Sequence, residues 1–405
     1  MSIERCDIAI VGAGMIGATF AALLARSGLD VVVIEAGRID IAPCARGEGR
    51  VSALNAAAER ILGAAGVWQT IRSDGACPYR EMHVWDAVGG GQIDFDCADI
   101  GEPRLGYIVE NRSVVDALLT SLRDAARVRF RAPARVSALR DAGDAVILEL
   151  DDGGQLAARL VVGADGAGSQ VRRFAGLEVR QHDYGQLAIV AAVSTELPHR
   201  DAAWQRFLPT GPLAFLPLAD ARCSIVWSTR TAHAEALLAA DEQSFREELG
   251  TAFGQKMGAV TACGPRAAFP LRRQHAVRYV APRIALIGDA AHVVHPLAGQ
   301  GANLGFLDAA ALAEVVLQAA GEARDFGSSR VLRRYERWRK GDNLATMWAM
   351  EGFERLFSSP MPALRRARSI GLDLTNTALP VKNIIVRRAM GLCGDLPALA
   401  RGPAL

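Results

Sequence analysis

A glycine-rich turn near the start of the chain has the residue spacing of a phosphate-binding loop. Gly12, Gly14 and Gly17 form G-x-G-x-x-G between the apolar residues 8–11 and the alanine- and leucine-rich residues 18–25. Gly12 permits a tight turn, and Gly14 lets the backbone approach a pyrophosphate. Gly17 lets the helix pack closely on the strand, and the phosphates bind at the helix N-terminus. The spacing therefore predicts a dinucleotide site.

A carboxylate follows the next predicted strand, where a dinucleotide site requires one. Gly28 ends the helix, residues 31–34 form a short apolar run, and Glu35 follows it directly. Glu35 is placed to accept hydrogen bonds from an adenosine ribose. Because its negative charge would repel a 2'-phosphate, the site favours FAD or NAD over NADP.

Residues 8–25 carry no charge, so a signal peptide or a membrane span is an alternative interpretation. Glu4 and Asp7 are acidic where a signal peptide has basic residues. The three glycines would also interrupt a helix, and Glu35 arrives where the nucleotide site needs it. These observations favour the nucleotide site.

Two later apolar runs also end in a carboxylate. Residues 160–163 lead to Asp165 in an Asp-Gly turn, and residues 284–287 lead to Asp289 in a Gly-Asp turn. Doubly wound sheets bind ligands at the carboxyl ends of their strands, so both carboxylates are candidates for the same site. Taken singly, each is also explained as a plain turn or N-cap residue, and Asp165 especially so.

Gly12, Glu35, Asp165 and Asp289, in this order, resemble the FAD-dependent aromatic hydroxylases built like para-hydroxybenzoate hydroxylase. Six further segments carry a narrower likeness: residues 50–55, 110–119, 203–217, 295–301 and 335–343 and the tail 376–397. They resemble the ubiquinone-biosynthesis hydroxylases, and the likeness covers nearly the whole chain. One departure is Ala302, where the family usually has a leucine beside the flavin.

The resemblance implies an α/β fold in which a Rossmann-like FAD-binding domain is interleaved with a smaller α+β substrate domain and followed by a helical C-terminal region. The apolar patterns predict a helix at 111–122 and a strand pair around Val136 and 146–150. They also predict substrate-domain strands at 187–193, 213–218 and 223–228.

The domains are expected to occupy discontinuous stretches of the chain. We expect the helical C-terminal region to be closed by Pro380 and Pro397. The expected ranges are 1–75, 100–180 and 275–330 for the FAD-binding domain, 76–99 and 181–274 for the substrate domain, and 331–405 for the helical region.

The resemblance also implies contacts with FAD. Asp289 would hydrogen-bond the ribityl chain, and Asp165 would hold a turn near the pyrophosphate and the approach of the nicotinamide. Arg50 would contact the phosphate and ribose region, and Arg112 would contact the cofactor near the start of its helix. Val136 is expected to offer backbone groups to the adenine. A surface position is the alternative for both arginines, and core packing is the alternative for Val136.

A second glycine-rich loop follows Asp289 and leads into another helix. A helix N-terminus carries about half a positive charge, which would stabilise negative charge on N1 and O2 of a reduced flavin. The loop lacks the G-x-G-x-x-G spacing, so it is a poor candidate for a separate nicotinamide site, and a capped surface turn is its alternative. We assign cofactor contacts in this loop to Gly299, Gln300, Gly301, Ala302 and Asn303.

Three residues are candidates for contact with the reacting ring. By resemblance, the backbone of Pro296 lines the edge of the isoalloxazine and the ring of the substrate. Tyr184 and Gln186, at the start of the substrate domain, are candidates for ring contacts, with strand-edge packing as the alternative. His292 and His295 show no metal spacing and are expected to fix the turn. The sequence identifies no general acid or base.

The chemistry implied by the resemblance is hydroxylation of an aromatic ring. In that mechanism NAD(P)H reduces FAD transiently, O2 forms a C4a-hydroperoxide on the flavin, and an electron-rich phenol takes one oxygen atom. The implied substrate is a polyprenylated phenol of ubiquinone biosynthesis. Two alternatives stay open: a hydroxylase of a small free aromatic in a pigment or antibiotic pathway, and a catalytically silent flavoprotein scaffold.

Composition argues against several other classes. The 405 residues are 50% hydrophobic, which suffices for a large cofactor domain and a smaller one. The net charge is +2 and the 46 basic residues are scattered among 44 acidic ones, so no nucleic-acid footprint appears. Seven cysteines without a C-x-x-C pair indicate a reducing cytoplasm and argue against zinc or a disulfide framework.

A tailed substrate must be delivered by a partner or taken up at the bilayer surface. The methionines and aromatics of residues 347–357 recur near helical spacing, for which core packing is the default. An exposed part of this series would bind a polyprenyl tail or a partner protein. The sequence leaves open contact with other ubiquinone-biosynthesis proteins, a position at the periphery of the inner membrane, and a homo-oligomer.

Overall fold

The structure, a computed structural model, describes residues 3–39, 49–294, 299–358 and 361–401. Its strands are β1 Glu4–Val11, β2 Val31–Ile34, β3 Val51–Leu54, β4 Cys77–Tyr79, β5 Glu81–Asp86, β6 Gln92–Asp96, β7 Gly106–Glu110, β8 Val128–Arg131, β9 Val136–Asp141, β10 Val146–Leu150, β11 Gln155–Gly163, β12 Val179–Thr195, β13 Ala202–Leu208, β14 Gly211–Pro217, β15 Cys223–Arg230, β16 Val260–Cys263, β17 Ala267–Ala276, β18 Val280–Ala281, β19 Ile284–Leu286 and β20 His292–Val293. Its α-helices are α1 Met15–Leu24, α2 Ala56–Ala64, α3 Trp68–Ser73, α4 Asn111–Arg123, α5 Gln170–Phe174, α6 Thr231–Ala239, α7 Glu242–Phe253, α8 Gln300–Gly321, α9 Ser329–Ser358, α10 Pro362–Thr377 and α11 Leu379–Ala389.

The first sheet has a parallel core in the order β19-β11-β1-β2-β8, which β18, β10 and β9 extend by antiparallel pairing. Every residue of β2 is buried, because this apolar strand is covered on both faces. The strand ends lie in one row, with Ile34 beside Val11, Val11 beside Gly163 and Gly163 beside Leu286. The turns after β2, β1, β11 and β19 therefore leave the sheet side by side.

The second sheet has the order β20-β17-β12-β15-β14-β13-β5-β6, with β16 also paired to β12. Its pairs are antiparallel except β13 with β5. Phe215 and Trp227 of this sheet pack with Phe245 and Phe253 of α7 in a core separate from that of the first sheet. A small third sheet has the order β3-β7-β4.

The fold class is therefore the predicted one, a Rossmann-like α/β domain combined with an α+β part and a helical C-terminal region. The helix predicted at 111–122 is α4, and the strand pair around Val136 is β9 with β10. The three predicted substrate-domain strands correspond to β12, β14 and β15. The domain boundaries themselves stay a prediction.

The expectation that Pro380 closes the helical C-terminal region is wrong, because α11 extends beyond it to Ala389. Pro380 lies in the first turn of α11, where proline is tolerated because its missing N–H has no partner inside the helix. The preceding helix, α10, is held against β5 by a buried ion pair in which the Arg368 guanidinium contacts both carboxylate oxygens of Asp86 at 2.7 and 2.9 Å. The proline thus starts the last helix of a packed helical region.

Within the described ranges, α8 has the one helical stretch, Gly301–Gly321, that is long and apolar enough to cross a membrane. In its most apolar window 72% is buried inside the protein. Phe306 and Leu312 of this helix are fully buried in the core of the first sheet. Core helices of this kind share the composition of a membrane span.

Candidate active site

The glycine loop after β1 has the backbone geometry that its spacing predicts. Gly12 has a φ of +106°, and a Cβ there would overlap the carbonyl oxygen of Ala164. A Cβ on Gly17 would overlap the carbonyl oxygen of Gly12, so α1 packs on the turn because residue 17 is glycine. At Gly14 no described atom lies within 4 Å of the Cβ position. The N-terminus of α1 is therefore open to a ligand.

Glu35, directly after β2, faces this loop. Its Oε2 accepts a hydrogen bond from the Ala13 N–H at 2.8 Å, and its Oε1 accepts one from the Gly37 N–H at 2.9 Å. These bonds fix the carboxylate beside the glycine turn, while the half-buried side chain keeps acceptor capacity for further donors. The geometry suits an acceptor for ribose hydroxyls.

Asp289 lies in the turn after β19, at the same edge of the sheet. Solvent reaches its side chain, although protein atoms surround most of it. The resulting desolvation raises the pKa of its carboxyl, and positive charge on His292 and Arg50 opposes that rise. The Arg50 guanidinium also lies 4.7 Å from the centre of the Phe269 ring. Arg50 and Asp289 therefore act on the same region of the protein.

A buried charged network supports the Gly-Asp turn. Asp308 of α8 is fully buried. It accepts hydrogen bonds from the Gly288 N–H at 3.2 Å, from Nε2 of His292 at 2.5 Å and from Nε of Arg339 at 3.0 Å. Burial opposes ionisation of Asp308, but the interactions with His292 and Arg339 outweigh it and lower the pKa of the carboxyl. His292 thus fixes the turn, as the sequence predicts.

Asp165 has the capping role that was its structural alternative. Its Oδ2 accepts hydrogen bonds from the backbone N–H groups of Gln170 at 2.6 Å and Val171 at 3.1 Å, at the start of α5. The Arg172 side chain then links this helix to the Gly-Asp turn by donating to the Ala290 carbonyl at 2.8 Å. Asp165 therefore orders the segment beside Asp289, and its proximity to the cofactor stays a prediction.

The N-terminus of α8 packs against β3. Gly299 has a φ of +62°, and a Cβ there would lie 2.9 Å from the Cβ of Ala53. The Asn303 amide donates to the Ala53 carbonyl at 2.8 Å and accepts from the Asn55 N–H at 3.1 Å. Because backbone groups already satisfy this amide, Asn303 positions the loop against β3.

The first turn of α8 contains three of the residues assigned to the cofactor. The backbone N–H groups of Gln300, Gly301 and Ala302 have no acceptor inside the helix, so they supply the positive end of its dipole. His295 and Pro296, whose backbone was predicted to line the reacting ring, lie outside the described residues. The contacts of this loop with a cofactor stay predictions.

Arg112 and Val136 have structural partners. The Arg112 Nε lies 3.3 Å from a carboxylate oxygen of Asp116, one turn along α4. That helix begins beside Arg50, whose carbonyl accepts from the N–H of residue 111 at 2.9 Å. Val136 is buried in the core of the first sheet and pairs with Leu150. Core packing, its alternative, is therefore observed for the side chain, and a backbone contact with adenine stays a prediction.

A cavity of about 820 Å³ extends from the N-terminal end of α8 towards the C-terminal helices. Ala53, Asn55 and Asn303 line its inner end. Most of the remaining wall comes from β5, β6, β13, α9, α10 and α11, and it is predominantly apolar. The volume lies within the range of small-molecule binding sites. Its apolar lining includes Met82, Val84, Ile93, Phe95, Phe207, Met350, Phe353, Leu356, Phe357, Leu372, Ile384, Ile385 and Val386.

Tyr184 is not among the residues that line this cavity. Its hydroxyl donates to Oε2 of Glu351 at 2.7 Å, and Arg273 contacts the same oxygen at 3.3 Å. Burial and the neighbouring Glu351 raise the pKa of Tyr184, so the phenol stays protonated at neutral pH. The structure thus connects Tyr184 to α9, and its predicted contact with the reacting ring stays a prediction.

The family described as FAD binding domain matches residues 5–345. A ubiquinone hydroxylase of Rhodospirillum rubrum, UbiL, is 40% identical over 402 residues, which cover 98% of this chain and 93% of that protein. The 3-demethoxyubiquinol 3-hydroxylase of Escherichia coli is 38% identical over 395 residues, covering 97% of this chain and 100% of that protein. The chain belongs to the FAD-dependent ubiquinone-biosynthesis hydroxylases. The crystal structure of PqsL from Pseudomonas aeruginosa matches the hydroxylase with a TM-score of 0.77 at 27% identity, covering 91% of this chain and 100% of that one.

The hydroxylase binds FAD, and the groups at the carboxyl edge of the first sheet fit that cofactor. The open space at Gly14 accommodates a pyrophosphate at the N-terminus of α1. Glu35 and Asp289 present carboxylate oxygens with capacity for hydroxyl donors. The positive end of α8 lies against β3, where Ala53 and Asn303 line the cavity. NAD(P)H is the co-substrate typical of the family.

Two features of the hydroxylase were not predicted from the sequence. The Asp308–Arg339 pair joins α8 to α9, and neither residue differs in type from the many exposed charges of the chain. The cavity wall combines residues from 82–95, 205–207 and 345–390, which no local pattern connects. A signal for the cavity did exist, because Met350, Phe353 and Phe357 belong to the methionine and aromatic series on α9.

Proposed function

We propose that this hydroxylase inserts one oxygen atom of O2 into the aromatic ring of a polyprenylated phenol of ubiquinone biosynthesis. A ring C–H bond becomes C–OH, and the second oxygen atom leaves as water. NAD(P)H supplies a hydride, and solvent supplies one proton. The observation that carries the proposal is the cavity of about 820 Å³, which extends from Ala53 of β3 and Asn303 of α8 to apolar side chains of the C-terminal helices.

FAD, when bound, supplies the oxygen-activating chemistry. In this proposal Gly12 permits the tight turn, Gly14 leaves room for the pyrophosphate, and Glu35 and Asp289 accept hydrogen bonds from the ribose and ribityl hydroxyls. The N-terminus of α8, held against β3 by Asn303, stabilises negative charge at the cofactor ring. The chain therefore binds and orients the reactants, and no side chain is assigned the transfer of a proton.

The apolar wall of the cavity has two effects on the reaction. It excludes water from the reacting ring, which prevents side reactions with solvent. It also favours a prenyl tail, because each buried CH2 contributes about 0.8 kcal/mol. Phe207, Met350 and Phe357 belong to this wall. The two arginines that also line the cavity are paired with carboxylates, Arg368 with Asp86 and Arg388 with Asp342.

A bulky residue at Gly371 tests whether the cavity holds the tail. Gly371 lines the cavity on α10, and no described atom lies within 4 Å of its Cβ position, so the fold tolerates a side chain there. We expect Gly371→Trp to raise KM for a short-tailed prenyl phenol by at least about tenfold. KM for the same phenol without a tail should change little. The measurement is substrate-dependent NAD(P)H oxidation with mass detection of the product.

Gly352→Trp is the matched control. Gly352 is a helical glycine on α9 with the same free space at its Cβ position, but it does not line the cavity. Equal KM values for the tailed phenol in both variants would contradict the proposed tail site. Faster turnover of the tailless phenol by the wild-type protein would favour a hydroxylase of small free aromatics.

A further inference from the structure

The last two helices expose an unusual number of large apolar side chains. On α10, Ile370 is 57% and Leu374 is 62% exposed, and on α11, Val381 is 51% and Ile384 is 66% exposed. Ile385 beside them is also exposed. We call these five residues the α10–α11 surface. Clustered exposed apolar residues of this size mark interaction sites, whereas single ones are common on any protein.

Helix α11 reverses the usual placement of its residues. Its Lys382 is buried, with Nζ 2.8 Å from a carboxylate oxygen of Asp99 and 3.1 Å from the carbonyl of Asp94. Val381, Ile384 and Ile385 of the same helix are exposed, and Ile384 lies on the side opposite Lys382. A surface helix normally places lysine in water and isoleucine in the core. The reversal therefore indicates that the outward face meets an apolar phase.

Helix α10 shows the same arrangement. Its inner side is fixed by the buried Arg368, which pairs with Asp86, and by the neighbouring Ser369. Ile370 and Leu374 lie one turn apart on a different side of the helix and are exposed. Both helices thus have one face packed on the protein and a second apolar face without cover among the described residues.

The α10–α11 surface adjoins the outer end of the cavity. Ile384 and Ile385 both line the cavity and are exposed, as is Phe353 of α9. Gly371, next to Ile370 on α10, also lines it. The cavity therefore opens where these three helices meet, among the exposed apolar side chains. A tail that enters there would pass directly from an apolar surface into the apolar cavity.

The charges around the surface are basic. Residues 361–390 contain six arginines or lysines and one acidic residue, Asp373. Two of the six, Arg368 and Lys382, are buried in ion pairs and do not contribute to the surface. Arg366, Arg387 and Arg388 of this segment are exposed. Basic residues beside an exposed apolar face complement the negative headgroups of a membrane. Two copies of the chain meeting through this face would instead bring like charges together.

We infer that the α10–α11 surface docks on an anionic lipid bilayer and that the tailed substrate enters the cavity from the bilayer through the opening between α9, α10 and α11. The inference rests on the proposed function for the identity of the substrate. In this arrangement the apolar side chains of both helices lie in the acyl boundary, and the arginines lie at the headgroups. The phenol ring moves inward while the tail stays in apolar surroundings throughout.

Vesicle binding by the full-length FAD-loaded protein tests the inference. Vesicles of phosphatidylethanolamine and phosphatidylglycerol are sedimented with the wild type and with a variant that combines Ile370→Ser, Leu374→Ser and Val381→Ser. These three residues are exposed and do not line the cavity. We expect the wild type to bind and the variant to bind at least about tenfold more weakly. Vesicles of phosphatidylcholine alone should bind the wild type less.

The control variant combines Val88→Ser and Leu197→Ser, two exposed apolar residues outside the α10–α11 surface. It should bind vesicles like the wild type. Absence of wild-type binding, equal binding by the triple variant, or a dimer in size-exclusion chromatography that the triple variant dissociates would each overturn the inference. Turnover of a prenyl phenol in detergent separates the two claims, because failed vesicle binding with intact turnover would contradict the docking and leave the proposed function standing.

Discussion

Asp165 and Asp289 show how neighbours give two carboxylates different tasks. Both follow parallel strands of the same sheet, and both stand beside a glycine. The Asp165 carboxylate accepts backbone hydrogen bonds at the start of α5 and is thereby satisfied. Asp289 has no hydrogen-bond partner among the described residues, and desolvation raises its pKa. We therefore assign ligand binding to Asp289 and local order to Asp165.

Replacing Asp289 should weaken FAD binding. Losing a hydrogen bond to a charged group costs about 1.5 to 3 kcal/mol, and each 1.4 kcal/mol corresponds to about tenfold in affinity. Asp289→Ala should therefore bind FAD about ten- to hundredfold more weakly. Titration of the FAD-free protein, followed by flavin fluorescence, measures the change. Asp144→Ala, at an exposed surface carboxylate, is the control and should bind FAD normally.

The same residue should affect the stability of the FAD-free protein in the opposite direction. Because the folded protein raises the pKa of Asp289, ionisation at neutral pH destabilises the fold. Asp289→Asn should raise Tm at neutral pH, and the gain should disappear once the pH falls below 3.8, the ordinary pKa of this group.

For the FAD-binding prediction, unchanged FAD affinity in Asp289→Ala would show that the Gly-Asp turn does not contact the cofactor.

At the scale of elements, β17, α8 and α9 are joined by a buried polar network. The Tyr279 hydroxyl hydrogen-bonds with Nε2 of His275 at 3.1 Å, and Asn343 of α9 connects Tyr279 to Asp308 of α8. Burial lowers the pKa of His275 from 6.5 to about 4, and positive charge on His292 and Lys340 adds to the effect. The network therefore keeps His275 neutral inside the fold.

This shift predicts a pH dependence of stability. Between pH 6.5 and about 4 the unfolded chain binds a proton at His275 and the folded protein does not, so stability falls as the pH falls through this window. From about pH 7.5 to about pH 5 the loss from this residue should be roughly 2 kcal/mol. Urea unfolding at both pH values should show a smaller loss for His275→Gln. Identical losses in wild type and variant would contradict a buried neutral His275.

The elements near the nucleotide site were predictable because their signals are local. The glycine spacing and the apolar runs ending at Glu35 and Asp289 each lie within a few residues, and parallel pairing aligns the strand ends. The buried partner of Asp308 was not predictable, because Arg339 lies on another helix and most arginines are exposed. The prediction for Pro380 failed because a proline in the sequence is compatible both with the end of one helix and with the start of the next.

At the scale of the molecule, two regions with different chemistry meet at the N-terminal end of α8. The first sheet contributes strand ends and helix termini that suit a dinucleotide. The second sheet and the C-terminal helices contribute an apolar cavity. The sequence indicated the first region and left the second open, because its wall is assembled from segments more than two hundred residues apart. Ala53 and Asn303 lie where the two regions join.

The quinones of a deletion strain without a paralogous hydroxylase test the central claim most directly. The protein is proposed to add one hydroxyl to a polyprenylated phenol, with FAD held through Asp289. The strain should therefore lose ubiquinone and accumulate a polyprenylated phenol one ring oxygen short, as measured by mass spectrometry of extracted lipids. The wild-type gene should restore ubiquinone, and Asp289→Ala should not. Normal ubiquinone in the deletion strain would contradict the proposed function.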